Sequence, residues 1–181
     1  PIWKALQTWI LENSKGEKII LDGRSGACYP DNTKEGKTMQ IHGFQTLTLL
    51  DYPGRVACTL FLGGCNFRCP FCQNSGLVLS PGKEPVVPME EVRKTLQKRK
   101  KVLDGVCITG GEPTLAPDLP ELIREIKEMG YLVKLDTNGY RPEVLGSLLE
   151  EGLLDYVAMD IKSSPEGYAK AAGLPGLDLS R

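Results

Sequence analysis

The chain has 181 residues, of which 41% are hydrophobic and 25% are charged, enough to bury one sizeable core in a single domain. Its 22 basic and 23 acidic side chains give a formal net charge of −1, which offers no electrostatic case for nucleic-acid binding. No apolar run approaches the roughly 20 residues of a membrane-spanning helix, and no signal-peptide pattern opens the chain. We expect a cytoplasmic protein that binds neither nucleic acid nor membrane.

Residues 1–38 differ from the rest of the chain in the pattern of their residue types. A few apolar residues at helical spacing predict one short helix, and a polar, turn-rich stretch follows. The segment shows no recognisable chemistry, and its lone Cys28 is interpreted as an idle thiol. We therefore expect residues 1–38 to be an extension or linker of unknown role that is not native to the domain, although a partner-binding extension stays open.

From Met39 onward the chain alternates between strand and helix patterns. Predicted strands cover residues 41–50, 55–62, 105–109, 131–135 and 154–161. Predicted helices cover residues 88–101, 117–129 and 141–151. Pro53 and Gly54 suit the centre of a type II turn between the first two strands. This order predicts an α/β fold with βαβ units and a parallel sheet, whose functional groups lie at the carboxyl ends of the strands.

Three of the six cysteines, Cys65, Cys69 and Cys72, are spaced C-x3-C-x2-C. Thiolates are soft ligands for zinc or for an iron–sulfur cluster, and this spacing lets one loop surround one metal centre. The spacing alone leaves both centres open. Cys58 and Cys107 fall inside predicted strands, where we expect them to pack as small apolar residues. The single histidine, His42, is interpreted as a structural residue of the first strand.

Polar motifs follow the later strands. Gly110-Gly111-Glu112-Pro113 comes after the strand at 105–109, and two glycines would let the backbone approach a ligand closely while Glu112 balances an ammonium group. Asp136-Thr137-Asn138-Gly139 follows the next strand, and taken alone it is ordinary turn chemistry. Asp160 and Lys162 end the last strand, where alternation places both on one face as an expected buried pair.

Together these motifs resemble those of the radical S-adenosylmethionine (SAM) superfamily, in its glycyl-radical-enzyme activase branch. The resemblance covers about residues 39–172 and implies a (β/α) barrel with a 4Fe-4S cluster on Cys65, Cys69 and Cys72. It also implies a set of SAM contacts, with Phe71 near the adenine. That set is Phe71, Gly110, Gly111, Glu112, Asp136, Thr137, Asn138, Asp160 and Lys162. In such enzymes Asp136, Thr137 and Asp160 would help to hold a monovalent cation.

The resemblance implies a reaction in which the reduced cluster cleaves SAM to a 5′-deoxyadenosyl radical, which installs a glycyl radical on a partner enzyme. No side chain acts as a catalytic acid or base, because cluster and SAM carry the chemistry. The implied partners are a glycyl radical enzyme and a flavodoxin or ferredoxin type electron donor. Residues 41–74 favour an anaerobic ribonucleotide reductase over a pyruvate formate-lyase type of target.

The chain departs from the family's pattern at its carboxyl end. Four βα strands are predicted where the family has six, so we expect residues 39–181 to form an incomplete barrel, truncated before its last strands. Three alternatives stay open: a radical SAM enzyme that acts on a small molecule, a zinc-binding structural module and a non-catalytic remnant.

Overall fold

The computed structural model describes residues 39–180. The predicted short helix near the amino terminus, the linker and Cys28 all lie outside the described residues. Within them, a single open sheet carries a set of helices.

The strands are β1 (Ile41–Thr48), β2 (Ala57–Leu62), β3 (Gly105–Gly110), β4 (Leu132–Thr137) and β5 (Tyr156–Met159). The α-helices are α1 (Ser75–Leu79), α2 (Met89–Lys98), α3 (Leu119–Glu128), α4 (Pro142–Glu150) and α5 (Pro165–Ala171). Single 3₁₀ turns cover Pro81–Lys83 and Pro113–Leu115. No helix in residues 39–180 has the length and apolar character that crossing a lipid bilayer requires.

The strands lie in the order β1-β2-β3-β4-β5. β1 pairs with β2 antiparallel, and every later pair is parallel. The predicted α/β class and its parallel sheet are thus confirmed, and residues 39–180 form a partial (β/α) barrel with an antiparallel first strand. The Pro53–Gly54 turn is confirmed as well, since the Arg55 amide donates to the Tyr52 carbonyl at 3.1 Å and Gly54 has a φ of 72°.

Some strand ends differ from the prediction. Residues 49–50 and 55–56 belong to the connection between β1 and β2, and β5 stops at Met159. Asp160 and Lys162 therefore follow the strand rather than end it. β4 continues through Asp136 and Thr137, which were predicted to follow it. The short helices α1 and α5 were not predicted, because five and seven residues are too few to show a helical period.

The main core lies between the sheet and its helices. It contains Leu60, Val106, Ile108, Leu135 and Val157 from the strands, packed against apolar residues of α2, α3 and α4. Cys58 belongs to this core, as predicted, and burial raises the pKa of its thiol to about 12. His42 is buried, and its ring contacts the Pro85 carbonyl at 3.2 Å, as its predicted structural role requires.

The opposite face of the sheet is different in character. Thr59, Cys107 and Lys134 lie on it in the middle of three neighbouring strands, and all three are buried. Cys107 is buried as predicted, but its side-chain neighbours are the charged groups of Lys134 and Asp136. The prediction of apolar packing for Cys107 is therefore wrong.

Candidate functional site

A cavity of about 370 Å³ lies at the carboxyl ends of the parallel strands, within the range of roughly 300–1,000 Å³ that is usual for small-molecule sites. Every residue that the sequence predicts as a metal or cofactor contact lines it. These are Cys65, Cys69, Phe71, Cys72, Gly110, Gly111, Glu112, Asp136, Thr137, Asn138, Asp160 and Lys162. The parallel sheet brings the motifs together because each one follows a strand that ends at the same edge.

The cysteine loop after β2 is held by its own backbone and by α5. Arg68 is buried, and its guanidinium donates to the carbonyls of Cys65 and Phe67 at 2.8 and 3.1 Å. The Phe67 ring packs against the rings of Tyr140 and Tyr168, with centroids 5.4 and 6.3 Å away. These contacts hold the loop rigidly over the end of the sheet.

The cysteines of the loop, Cys65, Cys69 and Cys72, are not in disulfide bonds. Burial first, and then the charges of Glu112 and the neighbouring cysteines, raise the pKa of Cys65 to about 12 against the opposing hydrogen bond from the Phe67 amide. An electropositive centre would therefore favour the thiolate that metal binding needs. Within residues 39–180, no three His, Cys, Asp or Glu side chains converge as ligands of a single ion would. A cubane cluster differs, because each cysteine binds a separate iron, so three soft donors around a cavity suit it.

Gly110, the last residue of β3, and Gly111, which follows it, lie close against the backbone of the chain itself. A Cβ atom on Gly111 would lie 1.8 Å from the Gly64 carbonyl oxygen, and one on Gly110, whose φ is 119°, would lie 2.3 Å from the Leu62 oxygen. The Gly111 and Glu112 amides donate to the Leu62 and Gly64 carbonyls at 2.9 and 2.8 Å. The sequence analysis attributes these glycines to ligand approach, but here they let β3 pack against the start of the cysteine loop.

Glu112 is a buried carboxylate that joins two loops. Its Oε1 accepts hydrogen bonds from the Thr114 amide at 3.1 Å and the Thr137 hydroxyl at 2.7 Å, and its Oε2 accepts from the Asn138 amide at 2.7 Å. Burial raises the pKa of Glu112, and these hydrogen bonds act in the opposite direction. Glu112 thereby ties the loop after β3 to the loop after β4.

Asp136 at the end of β4 forms an ion pair with Lys134, which the sequence analysis missed. The Cys107 thiol also donates to Asp136 Oδ2 at 3.4 Å. Burial acts to lower the pKa of Lys134, but Cys107 and Asp136 outweigh it, and the pKa lies above its usual range. The only signal in the sequence was alternation, which places residues 134 and 136 on one face of a strand.

Asp160 and Lys162 form an ion pair, as their shared face predicts. The Asp160 side chain is 49% exposed, so the expectation of a buried pair is wrong for the carboxylate. Burial acts to lower the pKa of Lys162, yet the hydrogen bond and charge of Asp160 raise it overall. Phe71 is also exposed, by 62%, while it lines the cavity. The cavity is thus open to solvent beside Phe71 and Asp160.

Two asparagines that sequence reasoning missed, Asn66 and Asn74, connect the cysteine loop to the strand ends. The Asn74 side chain donates to the Gly110 carbonyl at 2.8 Å, and the Asn138 side chain donates to Asn66 Oδ1 at 2.8 Å. A third missed residue, Asp51, lines the cavity and accepts a hydrogen bond from Thr59 at 2.6 Å. Asparagine is common in loops, so nothing in one sequence distinguishes these from turn residues.

Comparison with known proteins gives a family and several relatives. The family model described as the radical SAM superfamily matches residues 59–180. A Methanocaldococcus jannaschii protein named "Putative glycyl-radical enzyme activating enzyme" is 39% identical over 129 residues, which is 71% of this chain and 52% of that protein. A second protein of that name and organism is 34% identical over 60% of this chain and 40% of its own length.

Other relatives carry different names. A "Probable GTP 3′,8-cyclase" of Thermococcus kodakarensis is 33% identical over 63% of this chain and 37% of that protein. Among solved structures, QueE from Escherichia coli matches 55% of this chain and 52% of its own at 22% identity, with a TM-score of 0.45. The chain spans about half the length, or less, of these curated relatives.

The family model covers well over half of the chain. The matched region contains the cysteine loop, both strand-end motifs and the Asp160–Lys162 pair, which all contribute to the cavity lining. The chain belongs to the radical SAM superfamily.

Proposed function

We propose that this chain is the SAM-cleaving part of an enzyme that installs a glycyl radical on a partner protein. The observation that carries the proposal is the single cavity that the three thiols share with the motifs after β3, β4 and β5. The names of the two M. jannaschii relatives support the activase branch. A cavity open beside Phe71 and Asp160 also suits a substrate carried on another protein.

In this proposal Cys65, Cys69 and Cys72 hold a 4Fe-4S cluster. When bound, the cluster supplies one electron that cleaves SAM to methionine and a 5′-deoxyadenosyl radical. The chain's own residues position the cofactor and limit water around it. Gly110 and Gly111 allow the loop after β3 to lie against the cysteine loop, while Glu112 fixes the loop after β4 in register with it.

SAM binding is assigned to the other lining residues. Phe71 would cover the adenine from the solvent side, and Asn138, Thr137 and Asp136 would face the ribose and carboxylate. Lys162 and Asp160 would lie on the far wall beside SAM. The electron donor would be of the flavodoxin or ferredoxin type. The preferred partner is an anaerobic ribonucleotide reductase, and a pyruvate formate-lyase type of enzyme comes second.

The test begins with the full chain reconstituted with iron and sulfide under strict anaerobiosis. We expect about four irons per chain, an electron paramagnetic resonance (EPR) signal of the reduced protein that changes when SAM is added, and a doublet glycyl-radical signal when an anaerobic ribonucleotide reductase is present. Replacing Cys65, Cys69 and Cys72 together by Ser removes the iron. Cys58→Ala is the matched control, because that thiol lies in the apolar core and its loss leaves iron binding intact.

A second function has its own support. The similarity to a probable GTP 3′,8-cyclase favours a radical SAM enzyme that acts on a small molecule. Consumption of GTP by the reconstituted protein, with no glycyl-radical signal from either partner, would establish that reading. One tightly bound zinc per chain and no retained iron would instead reject both radical proposals.

A further inference from the structure

We propose that Asp136 and Asp160, two carboxylates of this cavity, bind no monovalent metal cation, because Lys134 and Lys162 are their built-in counter-ions. The family resemblance implies that Asp136, Thr137 and Asp160 hold such a cation. The contacts of these three residues do not fit that role. The inference concerns the charge balance of the cavity and does not depend on which partner protein or substrate the enzyme uses.

Asp136 shows the disagreement most directly. One carboxylate oxygen contacts the Lys134 ammonium, and the other accepts the Cys107 thiol at 3.4 Å. The Lys134 side chain is only 8% exposed, so its ammonium has no solvent position to move to. The Asp136 side chain is 32% exposed, but a metal cation there would have to share the carboxylate with the Lys134 ammonium and would face that fixed positive charge at close range.

The Thr137 hydroxyl both donates and accepts a hydrogen bond. It donates to Glu112 Oε1 at 2.7 Å and accepts from the Gly139 amide at 3.1 Å. The side chain is buried, and its hydrogen bonds keep Glu112 and the turn after β4 in place. Turning the hydroxyl oxygen towards a cation would break a contact of a buried carboxylate, which is costly.

Asp160 has its own lysine partner. Its Oδ2 contacts Lys162, whose side chain is 14% exposed. In both pairs the lysine is two residues from the aspartate in the chain. A covalently attached ammonium needs no binding from solution, so it neutralises the carboxylate at any salt composition. The cavity therefore carries two tethered positive charges where an exchangeable ion would otherwise be needed.

The first test uses the unmodified full chain. Its melting temperature is measured in potassium chloride, in sodium chloride and in tetramethylammonium chloride at equal ionic strength. We expect the three values to agree within about 1 °C, because no ion binds selectively to the folded state. A rise of several degrees in potassium or sodium that disappears in Asp136→Asn would overturn the proposal. A rise in melting temperature that persists in Asp136→Asn would mean that the ion binds elsewhere, and this result would support the proposal.

A lysine variant sharpens the comparison. Lys134→Met leaves Asp136 without its ammonium, and we expect potassium or sodium now to raise the melting temperature by about 3 °C over tetramethylammonium. Lys127→Met is the matched control, since it breaks the Lys127–Asp155 pair outside the cavity and should create no such dependence. If Lys134→Met does not fold, the melting temperatures of the unmodified chain still test the proposal.

A direct probe of the ion completes the test. Thallium(I), a spectroscopic substitute for potassium, is added to the reconstituted protein with SAM and followed by thallium-205 nuclear magnetic resonance. We expect no bound signal from the cavity. A bound signal that Asp136→Asn abolishes would contradict the proposal, even if melting temperatures agree, because it would show a cation site completed by SAM.

Discussion

The two faces of the parallel sheet use the same strands for different purposes. On one face Val106, Ile108 and Leu135 are fully buried in the apolar core under the helices. On the other, Cys107, Lys134 and Asp136 alternate with them and form a polar network below the cavity. Buried apolar area stabilises the fold, whereas buried polar groups cost free energy unless they are paired. Strand alternation alone thus places the apolar residues that stabilise the fold on one face and the polar groups beside the cavity on the other.

The largest effect is expected on the apolar face. Ile108→Ala should lower the free energy of unfolding by about 3 kcal/mol, because it leaves a cavity in a close-packed core. Cys107→Ala, its neighbour on the polar face, should cost about 1 kcal/mol, since it removes two weak sulfur hydrogen bonds, one to Asp136 and one from Lys134. Urea unfolding of both variants measures the difference. Equal losses would show that the two faces do not differ in the way described.

Breaking the link between the loops should rank second. Glu112→Gln should lower the free energy of unfolding by about 2 kcal/mol, because an amide nitrogen would face donors that now meet a carboxylate oxygen. Thermal unfolding measures this loss. Asp160→Asn is the control: its carboxylate is half exposed, so we expect a change within about 0.5 kcal/mol. A Glu112 variant as stable as this control would show that Glu112 does not join the loops.

A smaller effect is expected at the junction of the cysteine loop with β3. Asn74→Ala removes the hydrogen bond to the Gly110 carbonyl and should weaken SAM binding by up to about tenfold, which corresponds to one lost hydrogen bond. The change in the EPR signal during a SAM titration measures it. Gln97→Ala, at an exposed position of α2 outside the cavity, should leave the titration unchanged. If both variants behave alike, Asn74 has no special positioning role.

The smallest effect is expected far from both faces, at the Arg93–Glu125 pair between α2 and α3. The hydrogen bond and charge of Arg93 hold the pKa of Glu125 below its usual range. Because the folded-state pKa is lowered, the pair stabilises the protein above about pH 4.3, the unfolded value, and this stabilisation is lost as the pH falls through the folded-state pKa. Arg93→Met should therefore lower the urea midpoint slightly at neutral pH and not at all in acid. A deficit that persists in acid would assign the effect to packing.

Much of the fold was predictable because its signals are local. Alternation and helical spacing predicted the succession of strands and main helices along the chain, and Pro53-Gly54 predicted its turn. The helices α1 and α5 and the ends of β1, β2, β4 and β5 were missed or misplaced. Pairing between strands decides where a ladder stops, and the partners lie far away in sequence.

The candidate site divides in the same way. Every residue that cysteine spacing and the strand-end motifs predicted as a contact lines the cavity, because parallel strands bring their carboxyl ends to one edge. Lys134, Asn66 and Asn74 were not identified, since an isolated lysine or asparagine has no pattern of its own. The two asparagines act through hydrogen bonds to residues that are distant in the chain. Lys134 acts through its ion pair with Asp136 on the same face of β4.

The sequence by itself determined the α/β class, the cysteine loop and the chemical types of group around the cavity, because spacing and periodicity are written along the chain. Only the tertiary structure decided which of those groups are already occupied. It showed that Gly111 accommodates Gly64, that Glu112 joins two loops, and that Asp136 is bound by Cys107 of the neighbouring strand. The physical reason is that partner choice depends on distances across the sheet, which no linear spacing encodes.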